Sequence, residues 1–157
     1  MQELLSKDDR TVADQVLVIK SLIRRKEYSQ IHHVELARLD RLLEGKEVTP
    51  SLEYFRSSVL KKTGFLIEAR EAFVGMGDSV EPRLRVKILI KQAKIEVELM
   101  NHFAAKQILA QLKGLRDPND ESISLRYRIA KCLYYLRLAV IPKLSKNVEK
   151  LDKMVIP

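Results

Sequence analysis

The sequence predicts an all-α protein: about eight helices paired into stacked antiparallel hairpins, an α-solenoid occupying residues 1–157 as one domain. Three observations point there. The composition favours helix, with Leu, Ile, Lys, Arg, Glu and Ala dominant, 5 Gly, 5 Pro and no Trp. The Asn-Gly and Asp-Gly pairs that turn strand hairpins are absent. Proline and glycine punctuate the chain at intervals, with Pro50, Pro82 and Pro118 spaced as helix-turn-helix repeats are.

Taken in order, the periodicity predicts helices at 9–26, 29–44, 50–62, 65–76, 81–100, 102–115, 120–140 and 143–154. They pair as hairpins 9–44, 50–76, 81–115 and 120–154. Arg24, Arg25 and Lys26 close the first helix, where cations oppose the negative end of the helix dipole. Thr49 is placed to cap the third helix, with Pro50 at its first position. Gly64 precedes the fourth, on which Phe65, Ala69, Ala72, Phe73 and Met76 share a face. Ala105, Ile108, Leu109 and Leu112 share a face of the sixth, and Gly114 suits a left-handed position at its end. Pro142 marks a break between the last two helices.

The fifth helix carries two apolar stripes. Leu84, Ile88, Ile95 and Leu99 lie on one side, and Val86, Leu89, Ile90, Ala93, Val97 and Met100 on the other. A surface helix needs one such stripe. Two stripes require cover on both sides, as for an inner helix of a layered array.

The stretch Ala93–Ala105, followed by Ile108, Leu109, Leu112 and Asp117-Pro118-Asn119, resembles a degenerate tetratricopeptide (TPR-like) repeat. Ala93 and Ala105 stand where that family packs small residues of its two helices together, and Pro118 where a proline follows. Gly64-Phe65, Ala69 and Pro82 are similar one unit earlier. Glu96 stands in place of the usual tyrosine, and the usual tryptophan is missing. The resemblance spans about 50–140 and implies a right-handed stack presenting a groove to a protein or peptide.

Charge and composition narrow the function classes. Apolar residues make up 46% and charged residues 32%, too apolar for disorder and too charged for a membrane protein. No apolar run is long enough to span a bilayer, and the acidic start MQELLSKDDR does not read as a secretory signal. The single cysteine, Cys132, rules out an intrachain disulfide; a setting inside the cell, cytoplasm or nucleus, is expected. The net charge of +8 is uneven: residues 1–50 sum to 0, 51–100 to +2 and 101–157 to +6. The length also suits a segment of a larger protein.

The seventh helix divides into two arcs. Leu125, Ile129, Cys132, Leu133, Leu136, Ala139 and Val140 form an apolar arc, within which Cys132 reads as a buried structural thiol. The opposite arc holds Arg126, Tyr127, Lys131, Tyr134, Tyr135 and Arg137, with Arg128 at its edge. Arginine interleaved with tyrosine suits acidic peptides, phosphorylated partners or stacked single-stranded bases. The same arc also reads as core, with the last hairpin folded over it and the tyrosine hydroxyls reaching solvent. Lys143, Lys146, Lys150 and Lys153 suggest a solvated basic face on a final capping helix.

His32, His33 and His102 lack the spacing of metal ligands, and no nucleophile elbow, phosphate loop or dinucleotide fingerprint occurs. The expected function is therefore a non-catalytic protein–protein interaction adaptor or scaffold subunit of a complex, with no cofactor and no metal. Its partner would be a protein or peptide with acidic groups, held on the inner helices by Arg126, Tyr127, Lys131, Tyr134 and Arg137. The alternative is an RNA- or DNA-binding module using the basic C-terminal half.

Overall fold

A computed structural model describes the backbone of residues 10–77 and 79–155, with side chains as far as Val140. The described residues are helical with no strand. The chain divides into two compact units, Met1–Met76 and Gly77–Pro157.

The first unit opens with α1, Val12–Arg25. Thr11 starts it through a capping box, its hydroxyl accepting from the Asp14 N–H while its own N–H donates to the Asp14 carboxylate. Arg24 and Arg25 occupy the last turn, as the sequence predicts. The expected single helix over 29–44 is instead three pieces. Tyr28–Gln30 is a 3₁₀ turn, Ile31–Leu36 is π-helical, and only α2, Ala37–Leu43, is α-helical. At the end of the π turn Gln15 Nε2 donates to the Glu35 carbonyl oxygen at 2.8 Å. The same amide reaches the Glu35 carboxylate at 2.7 Å, and Arg10 pairs with that carboxylate at 2.8 Å. Arg10, Gln15 and Glu35 are all buried, so polar chemistry ties α1 to the π turn inside the apolar layer of Val18, Ile19, Leu22, Ile31 and Leu36.

Helix α3, Pro50–Lys62, begins as expected, with Pro50 at its first turn and the Thr49 hydroxyl accepting from the Leu52 N–H. The left-handed Gly64 turns the chain into α4, Leu66–Gly75, which packs on α3. Val59, Leu60, Ala69 and Phe73 are buried there. Arg56 on α3 makes a two-pronged ion pair with Asp40 on α2, at 2.6 and 2.8 Å, and the His32 ring stacks on Phe65 at 3.5 Å between centroids.

Among the described residues the second unit has three helices. α5, Pro82–Glu98, packs on both α6, His102–Leu115, and α7, Glu121–Val155. Both apolar stripes of α5 contain deeply buried residues: Ile88 and Ile95 on one, Val86, Leu89, Ile90, Ala93 and Val97 on the other. The second stripe forms one core with Ala105, Leu109 and Leu112 of α6 and Ile123, Tyr127, Ala130 and Tyr134 of α7. At the ends of the stripes Leu84 and Leu99 are half-buried and Met100 is exposed, while Glu96, which stands in place of the usual tyrosine, is buried.

Two expectations fail here. Gly114 lies inside α6 and is not left-handed; the helix stops two residues later, where Arg116 turns to extended backbone. Pro142 does not break the last segment, and one continuous helix stands in place of the expected seventh and eighth. A proline inside a helix forfeits one rung and costs about 3 kcal/mol. Its neighbours Val140, Ile141, Lys143 and Leu144 offer no glycine or turn residue that could convert that loss into a turn. The side chains of the expected basic capping face, Lys143 to Lys153, lie outside the described residues.

Candidate protein-interaction site

The rotation of α7 about its axis decides what the C-terminal unit presents. Asp120 sets the start of this helix. Its carboxylate accepts from the Ile123 N–H at 3.1 Å and from Arg83 Nε, at the start of α5, at 3.0 Å. The Ile123 amide, and after it the Arg83 guanidinium, hold the Asp120 carboxyl below the usual carboxylate range.

From that anchor, Ile123, Tyr127, Ala130 and Tyr134 point into the core at steps of four, three and four residues, with Leu138 packed at the rim. Tyr127 and Tyr134 are only 7% and 8% exposed. The arc of leucines faces outward: Leu125 is 52% exposed and Leu136 63%, with Ile129, Leu133 and Val140 exposed as well. Cys132 is also exposed, so it is not a buried structural thiol. The packed face is thus the tyrosine arc and the free face the leucine arc, the reverse of what side-chain hydrophobicity alone suggests. Ala93 and Ala105 are fully buried in the core that receives the tyrosines. Small residues there leave volume that large rings fill, and a tyrosine can do so while its hydroxyl reaches the rim.

Five residues were expected to meet a partner, and they separate. Arg126 and Arg137 are exposed along one margin of the leucine arc. Tyr127 and Tyr134 belong to the core. Lys131 is exposed on the opposite side, where it joins a groove between α6 and α7 of about 380 Å³ lined by Lys106, Lys113, Tyr127, Tyr134, Tyr135 and Leu109. A neighbouring hollow of about 700 Å³ is lined by Lys131 with Arg116, Arg128, Glu121 and Leu125. Within it the Arg116 guanidinium lies 4.8 Å from the centre of the Tyr127 ring and donates to the Ser124 hydroxyl at 3.1 Å.

Lys106 and Lys113 are groove residues that sequence reasoning passed over. Their seven-residue spacing puts them on one face of α6, but only the tyrosine-inward rotation of α7 brings that face beside Lys131. Arg126, Arg128, Lys131 and Arg137 form no ion pair among the described residues.

No protein-family model matches the chain, and no curated protein or solved structure does either. No described helix is long and apolar enough to cross a membrane.

Proposed function

We propose that this chain is a non-catalytic adaptor or scaffold subunit, a TPR-like helical module that binds a protein partner without a cofactor. One observation carries the reading: the row Leu125, Ile129, Leu133, Leu136 and Val140 is exposed along α7 of a chain otherwise rich in charge. A contiguous apolar surface of this kind, bordered by polar groups, is what a protein interface offers before its partner arrives. Burying such side chains supplies affinity, and Arg126 and Arg137 at the margin supply contacts to acidic groups. The proposed compartment is the cytoplasm or nucleus, where a lone exposed thiol stays reduced.

A second reading has its own support. The groove of Lys106, Lys113 and Lys131 interleaved with Tyr127, Tyr134 and Tyr135 combines cations and aromatic rings as single-stranded nucleic acid binding requires.

Capture from lysate separates the two readings, with the wild type compared against Ile129→Glu/Leu136→Glu and against Lys106→Glu/Lys113→Glu/Lys131→Glu. A protein that survives nuclease treatment and is lost only from the first variant supports the adaptor. Captured material that vanishes with nuclease and with the lysine variant, and weakens steeply with salt, replaces it with the nucleic-acid reading.

A further inference from the structure

The exposed face of α7 has a register. Leu125, Ile129, Cys132, Leu136 and Ala139 follow one another at steps of four, three, four and three, an average of 3.5 residues, which is the repeat of a coiled-coil seam. Leu133 and Val140 widen the seam on one side. Large residues at Ile129 and Leu136 alternate with small ones at Cys132 and Ala139, and that alternation leaves holes for the knobs of a facing helix. The face runs about 22 Å at 1.5 Å per residue, a length suited to two heptads.

Its margins are basic on both sides. Arg126 and Arg137 border one edge and Arg128 the other, all exposed and none in an ion pair among the described residues. Glu121, at the first turn, is the single acidic residue between 121 and 140.

Resting on the adaptor reading above, we propose that the occupant of this face is an amphipathic helix of another protein, apolar along its seam and acidic along both margins. A second copy of this chain would set arginine against arginine in either orientation, since both margins carry the same sign, and residues 101–157 already sum to +6. The described residues after Val140 do not fold back over the face, because α7 continues along its axis to Val155. A lipid surface needs neither the 3.5-residue spacing nor the alternation of large and small side chains.

The test uses the full chain and three labelled synthetic peptides read by fluorescence anisotropy. All are helical; one has leucine at the seam and glutamate on both margins, one has leucine with lysine margins, and one keeps the glutamates with serine at the seam. The acidic leucine peptide binds the wild type, and the other two do not. Arg126→Glu/Arg128→Glu/Arg137→Glu weakens that binding about tenfold, the combined size of a few surface ion pairs, and transfers preference to the lysine peptide. Ile129→Glu/Leu136→Glu, which alters only exposed positions and keeps the wild-type circular dichroism, abolishes binding.

Equal binding of the acidic and lysine peptides, or no binding of either, overturns the proposal. So does self-association in sedimentation that Ile129→Glu/Leu136→Glu removes, which makes a second copy the occupant. Binding to phosphatidylserine vesicles with no peptide binding makes the face a lipid contact instead. If the seam variant loses its protein partner from lysate while no peptide discriminates by charge, the adaptor reading stands and this inference falls.

Discussion

Three turns of this chain share one backbone device and meet its steric demand differently. After α1, Lys26 donates to the Ile23 carbonyl and Glu27 to Leu22; after α3, Gly64 donates to Lys61 and Phe65 to Leu60; after α5, Met100 donates to Val97 and Asn101 to Glu96. Each is the paired closure of a helix end that requires a left-handed residue. Gly64 meets the demand at φ +92° with no Cβ, whereas Lys26 and Met100 adopt φ +60° and +61° with one. A side chain in that region costs about 1–2 kcal/mol. Met100→Gly is therefore expected to raise stability by up to about 1 kcal/mol and Gly64→Ala to lower it by a similar amount, read as opposite shifts of the urea midpoint. An added Cβ at Gly64 meets no atom within 4 Å, so the whole effect there is backbone strain. Unchanged midpoints in both variants would refute the assignment of strain to these turns.

At the scale of the element, α7 shows how much of a helix a sequence reveals. Its start was legible, because Asp-Pro-Asn-Asp is a helix-opening sequence, and Asp120 does cap it. Its facing was not. Ile123, Tyr127, Ala130, Tyr134 and Leu138 make a helical stripe as regular as the leucine arc, and periodicity ranks two regular stripes by hydrophobicity alone. Core volume decided between them. Its length was missed for a related reason, since a proline reads as a stop when no geometry shows the helix continuing through it.

The Asp120 cap also makes a pH-dependent element. Its carboxyl titrates below the usual range in the folded chain, so it adds stability at and above the ordinary carboxylate range. That stability is lost as pH falls through the depressed value. An NMR titration should show the Asp120 midpoint rising in Arg83→Ala while staying below the ordinary value, because the Ile123 amide remains the larger cause. Asp120→Asn, still a good cap, should remove this part of the acid dependence.

Across the whole molecule, the helical class was legible from composition and punctuation, and several boundaries followed from capping residues such as Thr49 and Pro50. The π turn at Ile31–Leu36 was not, nor was its tie to Gln15, which lies 20 residues from the Glu35 carbonyl it holds. The candidate surface was half legible. The excess positive charge in residues 101–157 lies in the unit that carries the exposed apolar row, and Arg126, Lys131 and Arg137 are solvent-facing there. The partition of charge was hidden: Arg126, Arg128 and Arg137 border the apolar row, whereas Lys131 joins Lys106 and Lys113 in the groove. A pairwise arrangement between helices determines this, and no single-helix pattern contains it. The two surfaces should consequently answer to salt differently, the groove through counterion release and the apolar row far less.

The outward turn of Cys132 gives the wild-type protein its own reporter. It is the one thiol of the chain, it is exposed, and it sits midway along the apolar row. Alkylation by iodoacetamide, followed by mass, should proceed on the folded protein because the thiol is exposed. Any occupant of the row should shield the sulfur and slow the reaction in proportion to occupancy, without a label or a substitution, whereas a ligand confined to the lysine groove should leave the rate unchanged.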